Sequence, residues 1–187
     1  PLKLEWANEE GFTKIKYEWL KVSLKRLTKL FFEEFREELI SVVLYGSSAR
    51  DTFKLGESDI DLFYILGDPV EDAWRREQDV FRRFKSTSEY RASDYWLRMR
   101  GFYGYPEVAV AMLRKSHAKI FQPIYLDMLI HRTVLYDKES FFEQLMGKMR
   151  EALKVLGTIR IEYADGTWSW VLKPNMAPGE LISIKLE

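Results

Sequence analysis

The sequence of 187 residues contains no cysteine, which excludes disulfide bonds, thiolate metal sites and cysteine nucleophiles. It also lacks an apolar run long enough to cross a bilayer, and its N-terminus lacks a secretory pattern, so we expect a cytoplasmic protein without membrane contacts. A net charge is absent as well, because 29 basic side chains balance 29 acidic ones. Nucleic-acid binders usually carry a net basic surface, so this balance argues against a dedicated DNA or RNA binder but not against a local nucleotide site.

Apolar and aromatic side chains are abundant instead. They make up 47% and 15% of the sequence, which is enough for a sizeable core without cross-links. The length favours one domain, and we predict a main domain over residues 1–157 with a helical, aromatic-rich insertion at about 86–120. Residues 158–187 are predicted to form a β extension packed on the same domain.

One long amphipathic helix is predicted over residues 12–39. Apolar side chains recur there every three or four residues, which is typical of one buried helix face. These are Leu20, Leu24, Leu27, Phe31, Phe35 and Leu39. Basic side chains fill the first half of the helix and acidic ones the second, an order that opposes the helix dipole. The charged face is therefore either a solvated surface or a surface for a partner.

The remaining pattern predicts an α+β fold, a mixed β-sheet flanked by helices with a C-terminal β-hairpin. Strands are predicted at 41–45, 60–66, 124–130, 133–136 and 181–186, with the hairpin about Asp165-Gly166. Helices are predicted at 47–53, 106–119 and 138–156, and after Pro69, where Asp68 suits an N-cap and Trp74 a buried face. Tyr103 and Tyr105 are expected in the core, with base stacking as the alternative, and Trp168 and Trp170 are expected to pack against the domain.

Two carboxylates interrupt the apolar strand at 60–66. Asp59 and Asp61 are two residues apart, so both project from the same strand face. Acids held ~6–7 Å apart repel each other, and burying them unpaired is costly. Mg²⁺ or Mn²⁺ would compensate, and two such ions can clamp the attacking and leaving oxygens of a phosphoryl transfer. The alternative is a solvated strand end without a function.

A glycine-serine pair ends the preceding strand. Gly46 allows the backbone to turn sharply and to approach a ligand closely. Ser47 offers a hydroxyl and, together with Ser48, backbone N–H groups at a helix start, which favours phosphate binding. Arg50 follows one turn later and is either a further phosphate ligand or a surface arginine. Alone the pair predicts a plain turn; beside the acid pair it predicts one half of a nucleoside triphosphate site.

The stretch GSSARDTFKLGESDIDLFYIL resembles the signature of the nucleotidyltransferase superfamily that includes DNA polymerase β. That signature is Gly-Ser, a spacer of about ten residues and Asp-x-Asp, and here eleven residues separate Ser47 from Asp59. Asp51 stands where the family usually has glycine. The resemblance implies a nucleotidyltransferase-like fold with a long helix before the Gly-Ser strand and a third acid on a later strand.

Asp127 is our candidate for that third acid, because it interrupts the apolar run IYLDMLI. By resemblance it would complete the metal site and accept the proton of the attacking hydroxyl. The alternative for Asp127 is an acid bonded to backbone or to Arg132. Asp137 is the rival, but its position before a predicted helix suits an N-cap better.

The resemblance to the minimal nucleotidyltransferases implies transfer of a nucleoside monophosphate from an NTP, expected to be ATP, to an acceptor hydroxyl. Asp59, Asp61 and Asp127 would be catalytic and would hold Mg²⁺ or Mn²⁺, while Gly46, Ser47, Ser48 and Arg50 would bind the nucleotide. Family analogy adds a partner protein as acceptor, a helical HEPN-type toxin. The alternative is a nucleotide-binding module that is weakly active or inactive and docks a partner protein. His117 and His131 are assigned no role.

Overall fold

The protein folds around a four-stranded mixed sheet in the computed structural model, which describes residues 8–50 and 52–187. Asp51, which replaces the usual glycine of the motif, lies outside the described residues. The strands are β1 Leu39–Tyr45, β2 Ile60–Leu66, β3 Val108–Arg114 and β4 Thr133–Asp137. Their order is β3-β2-β1-β4, with β2 parallel to β3 and the other two pairs antiparallel. The strand that carries the acid pair is therefore an inner strand.

Seven α-helices and a hairpin surround this sheet in the described part of the chain. The helices are α1 Glu9–Thr13, α2 Glu18–Phe35, α3 Ala73–Lys85, α4 Ser88–Arg98, α5 Lys115–Ala118, α6 Ile124–Met128 and α7 Phe141–Leu156. Short 3-10 turns cover Arg36–Glu38, Gly46–Ala49 and Lys138–Ser140. The hairpin consists of β5 Ile159–Glu162 and β6 Trp168–Val171, which pair about the predicted Asp165-Gly166 turn. The predicted α+β class and the C-terminal hairpin are confirmed. No helix among the residues placed by the structure is long and apolar enough to span a membrane.

The sheet is covered on both faces, and alternation along β2 decides which side chain meets which layer. Ile60, Leu62 and Tyr64 face the layer of α2, α3 and α4. Phe63 and Ile65 face the layer that contains α6 and α7. Alternation places Asp61 on this second face, which α6 and α7 cover only partly.

The predicted helix over 12–39 is interrupted and ends early. α1 ends at Thr13, α2 begins only at Glu18, and Arg36 leaves the helix with a φ of 45°. Leu39 belongs to β1 because it leads into a β-branched run that pairs on both sides. The acidic end of α2 is not a free surface, since Glu34 pairs with both Arg76 and Arg83 of α3.

The region after Asp68 differs from its prediction. α3 begins at Ala73, and the Asp68 carboxylate accepts hydrogen bonds from the backbone N–H and hydroxyl of Ser116 instead of capping the helix. Trp74 is 74% exposed, so its predicted burial is wrong. The predicted 47–53 helix is reduced to the 3-10 turn Gly46–Ala49.

Three predictions in the second half of the chain are wrong. Residues 108–114 form a strand instead of a helix, because their alternating small and β-branched side chains fit the free edge of β2. Residues 124–128 form a helix instead of a strand, because Pro123 fixes a helical φ of −54° and the three-residue spacing of Tyr125 and Met128 buries both. The strand predicted at 181–186 is reduced to a single bridge between Lys185 and Ile120.

Candidate functional site

The Gly-Ser turn and the acid pair are in direct contact. Tyr45, the last residue of β1, pairs with Asp61 across the sheet, so the turn that follows it passes over the Asp61 carboxylate. Gly46 has a φ of +65°, and a Cβ added there would lie 2.0 Å from Oδ2 of Asp61. Only glycine fits this position, both because of the positive φ and because of the carboxylate. The two halves of the motif therefore meet at one point.

The repulsion within the acid pair is only partly compensated. Asp61 is partly buried and Asp59, immediately before β2, is exposed. Burial raises the pKa of Asp61, the neighbouring charge of Asp59 raises it further, and Arg50 opposes the shift. Such a carboxylate pair fits a bound cation, because a positive charge would relieve both effects.

The donor set suits a hard divalent ion. Mg²⁺ is usually held by one or two carboxylates together with water and substrate phosphates, so the oxygens of Asp59 and Asp61 meet its requirement. Within residues 8–50 and 52–187, no group of three or more acidic or histidine side chains is placed to hold a metal. A divalent ion bound here would thus have two acids of this chain as ligands, and further oxygens would have to come from substrate, water or side-chain movement.

The turn itself is held by local hydrogen bonds. The Ser48 hydroxyl donates to the Tyr45 carbonyl at 3.0 Å, and the backbone N–H of Arg50 donates to the Ser47 carbonyl at 3.1 Å. Nε of Arg50 donates to the Gly46 carbonyl at 3.1 Å, so this side chain braces the turn. A four-residue 3-10 turn carries little dipole, and positive charge for a phosphate must come mainly from side chains.

Basic side chains line a cleft of about 470 Å³ beside the turn. It is lined by Lys14, Lys16, Ser48, Ala49, Arg50, Thr52, His131 and Trp168. Partial burial lowers the pKa of His131, the charges of Arg50 and Arg160 lower it further, and Asp127 opposes them. In a protein without net charge, this is a local accumulation of cations next to an acid pair.

Asp127 reaches the same face of the sheet from a helix. It is exposed on α6, two residues after Tyr125, whose ring packs edge-on against Phe63 of β2. Burial raises the pKa of Tyr45, and the charges of Asp61 and Asp127 raise it further. The Tyr45 side chain therefore interacts electrostatically with both acids. Asp127 therefore lies on a helix and not on the predicted strand. Its role as third acid stays a prediction.

The rival acid, Asp137, caps α7. Its carboxylate accepts from the backbone N–H groups of Phe142 and Glu143 and from the Ser41 hydroxyl. These three hydrogen bonds give the Asp137 carboxylate a structural role, as its position before a predicted helix indicated. Burial nevertheless raises the pKa of Asp137.

Several neighbours of the site were not predicted from the sequence. The backbone N–H of Ile60 donates to the Glu107 carbonyl at 2.8 Å, which puts the exposed Glu107 beside Asp59 at the start of parallel strands. An acid directly before an alternating apolar run was the available signal, but the helix prediction at 106–119 concealed it. His131 and Trp168 line the cleft without any local motif. Trp168 therefore has a place at the site besides the packing role expected of it.

Comparison with known families agrees with the motif. The family model of the nucleotidyltransferase domain matches residues 25–99, a segment that runs from α2 through the Gly-Ser turn and both acids to α4. The match over this segment supports the nucleotidyltransferase superfamily, as the resemblance predicted. The match supports the enzyme class in general terms, transfer of a nucleoside monophosphate. It ends before β3, Asp127 and the C-terminal hairpin.

One solved structure is also similar, a provisionally assigned nucleotidyltransferase from Sulfolobus solfataricus determined at 1.40 Å resolution. It is 16% identical, and the similarity covers 70% of this chain and 87% of that one with a TM-score of 0.36. This TM-score is too low to establish a common fold. No curated protein matches the sequence.

Proposed function

We propose that the protein transfers a nucleoside monophosphate from an NTP, with ATP as the expected donor, to an acceptor hydroxyl. The acceptor oxygen would attack the α-phosphorus, the bond to the bridging oxygen would break, and pyrophosphate would leave. The observation that carries this proposal is the contact between Gly46 and Asp61, since it joins a phosphate-side turn to a carboxylate pair. Such a reaction depends mainly on positioning and charge stabilisation, which this arrangement can supply.

Asp59 and Asp61 would hold Mg²⁺ or Mn²⁺ in this proposal. When bound, the ion would neutralise phosphate charge and activate the attacking hydroxyl. Asp61 contributes a carboxylate fixed by an inner strand and by the Gly46 turn. Gly46, Ser47 and Ser48 contribute a backbone that approaches the nucleotide closely, and Arg50 contributes a charge between the acids and the cleft.

Asp127 is proposed to accept the proton of the attacking hydroxyl and to join the metal ligands. Its support is that α6, which carries Asp127, packs on the sheet face that also carries Asp61, and that the charges of both acids raise the pKa of Tyr45. Glu107 is the competing choice, because the β2–β3 register puts it beside Asp59. Comparing Asp127→Asn with Glu107→Gln decides between them.

A protein hydroxyl is proposed as the acceptor, in line with the family analogy. The loop between α4 and β3 exposes large apolar side chains, with Met99 66% and Tyr103 98% exposed, so the predicted core position of Tyr103 is wrong. Phe102 of this loop lies against Gly56 in the segment that precedes Asp59. The nearby Arg98 is paired with Asp94, so the surface is apolar more than basic and suits a protein better than a phosphate backbone.

The test is a transfer assay with NTPs labelled on the α-phosphate, Mg²⁺ or Mn²⁺, and candidate protein and RNA acceptors. Wild-type protein should move the label to a protein acceptor, and a variant with Asp59→Asn and Asp61→Asn should not. Asp79→Asn is a matched control, because it removes an acid that pairs with Arg82 on α3. Transfer that persists in the double variant would refute the site. Nucleotide binding without any transfer would identify a binding module instead.

A further inference from the structure

The C-terminal hairpin reaches the candidate site, although the family match ends at residue 99. Trp168, the first residue of β6, is one wall of the cation-lined cleft. Across the hairpin, Arg160 of β5 places its guanidinium carbon 5.0 Å from the centre of the Trp168 ring. The guanidinium carbon of Arg50, from the Gly-Ser turn, lies 4.8 Å from the same ring. One indole therefore holds a cation from the turn and a cation from the tail.

This arrangement concentrates positive charge that the protein only partly neutralises. Arg160 pairs with Glu162, which is largely exposed. Within residues 8–50 and 52–187, Arg50 forms no ion pair and is held by the Gly46 carbonyl and the indole. Both guanidinium carbons lie within about 5 Å of the centre of one ring, and an anion bound beside this ring would gain charge-assisted hydrogen bonds from the guanidinium groups.

The size and lining of the cleft indicate the kind of anion. A volume of about 470 Å³ is in the range of small-molecule sites and leaves no room for a folded partner. Lys14, which also pairs with Glu10, adds a further cation from the segment after α1, while Ser48 and Thr52 add hydroxyl groups. Several cations and hydroxyls around a small volume suit a chain of phosphates better than a single carboxylate.

We propose that the β5–β6 hairpin is a working part of the nucleotide site, in which Arg160 binds the polyphosphate and Trp168 positions Arg160 and Arg50. The proposal rests on the proposed function only for naming the ligand as the triphosphate of an NTP. Trp168 is a positioning residue, since its ring is engaged by guanidinium groups rather than offered to a base. The β5–β6 hairpin would thereby increase the affinity of the site for its nucleotide substrate.

The test measures binding of inorganic tripolyphosphate and of ATP by calorimetry, without divalent cations. Arg160→Gln and Trp168→Leu should each weaken tripolyphosphate binding about tenfold, the effect expected for losing one charge-assisted contact. Trp168→Phe keeps an aromatic face and should retain most of the affinity. Arg82→Gln and Trp74→Leu are matched controls on the surface of α3, with side chains 75% and 74% exposed respectively, and should bind like wild type.

A second readout locates the bound ligand. The chain has only two histidines, so their ring signals are easily resolved by NMR. At fixed pH, tripolyphosphate should move the signal of His131, which lines the cleft, and leave the exposed His117 of α5 unchanged. Equal movement of both signals, or of neither, would overturn the proposal.

The two proposals fail separately. If Arg160→Gln and Trp168→Leu remain folded by circular dichroism and bind tripolyphosphate like wild type, the hairpin has no role even where Asp61→Asn abolishes transfer. If the hairpin variants lose binding but no label is transferred by wild type, the polyphosphate cleft stands and the proposed reaction falls. If Trp168→Leu disturbs the fold of the hairpin, tripolyphosphate binding by Arg160→Gln alone decides the outcome.

Discussion

The two sides of the candidate site are built in different ways. The acid side lies on and just before β2, an inner strand that is hydrogen-bonded to β1 and β3, and the fully buried Ile60 separates its two carboxylates. The cation side is assembled from the segment after α1, a short turn, the segment after α6 and the C-terminal hairpin, all outside the sheet. The acid pair is thus placed by an inner strand of the sheet, while the groups proposed for substrate binding lie on elements outside the sheet. We expect acid-side substitutions to lower kcat and cation-side substitutions to raise KM.

The largest effect is expected from Asp61→Asn. Transfer should fall by at least about 100-fold, the cost of removing one preorganised charged group from an active site. Tripolyphosphate affinity without metal should stay the same or rise, because a negative charge near the anion is lost. Initial rates and calorimetry measure the two quantities. A parallel loss of both would contradict the division between the two sides.

Asp127→Asn should lower kcat about 100-fold if Asp127 accepts the proton of the attacking hydroxyl. Glu107→Gln should then change kcat less than about threefold, since an exposed acid without a role contributes little. The same assay at saturating ATP measures both variants. A larger loss of kcat in Glu107→Gln than in Asp127→Asn would assign the proton-accepting role to Glu107, which directly precedes β3.

Gly46→Ala tests the contact between the two sides. The added methyl group would meet the Asp61 carboxylate and impose a strained φ of +65°, so we expect transfer to fall and stability to drop by about 1–2 kcal/mol. Gly147→Ala is the control, because nothing lies within 4 Å of its added Cβ inside α7, and it should stabilise the protein by about 1 kcal/mol. Urea unfolding measures both. An active, stable Gly46→Ala protein would show that the contact is dispensable.

Arg50→Lys should raise KM for ATP about tenfold and change kcat less. Lysine keeps the positive charge but loses the planar group that contacts the Trp168 ring and the Gly46 carbonyl. Steady-state kinetics separate the two constants. A pure kcat effect would place Arg50 with the acid side of the site.

The smallest effect concerns titration of Asp61 in the metal-free protein. Its pKa is raised by burial and by Asp59 and lowered by Arg50, so Asp59→Asn should lower this pKa and Arg50→Gln should raise it. A carboxyl group with a raised folded-state pKa favours its protonated form, so its contribution to stability is present at low pH. That contribution is lost as pH rises from the ordinary aspartate range through the folded pKa. Carboxyl carbon NMR follows each titration, and shifts of the opposite sign would exclude the proposed coupling.

The sequence predicted that the Gly46 turn and the acid pair lie together in the fold, but not which residues line the neighbouring cleft, for a physical reason. Strand β2 and the turn at Gly46 leave local signals, an apolar run and a glycine at a strand end. The Arg50–Trp168 contact joins residues far apart in the chain and leaves none. Periodicity also failed at Val108–Arg114 and Ile124–Met128, where short apolar segments suit either element and tertiary context decides. The change at Ile124–Met128 moved Asp127 from a strand to a helix.

The most direct test of the central claim compares α-labelled and γ-labelled ATP in the presence of Mg²⁺ and a protein acceptor. If the Gly46 turn and the acid pair form one nucleotidyl-transfer site, the acceptor gains only the α-label, and the γ-label leaves as pyrophosphate. Asp61→Asn should abolish both events. Transfer of the γ-label, release of the γ-label as inorganic phosphate, or undiminished α-label transfer by Asp61→Asn would contradict this account.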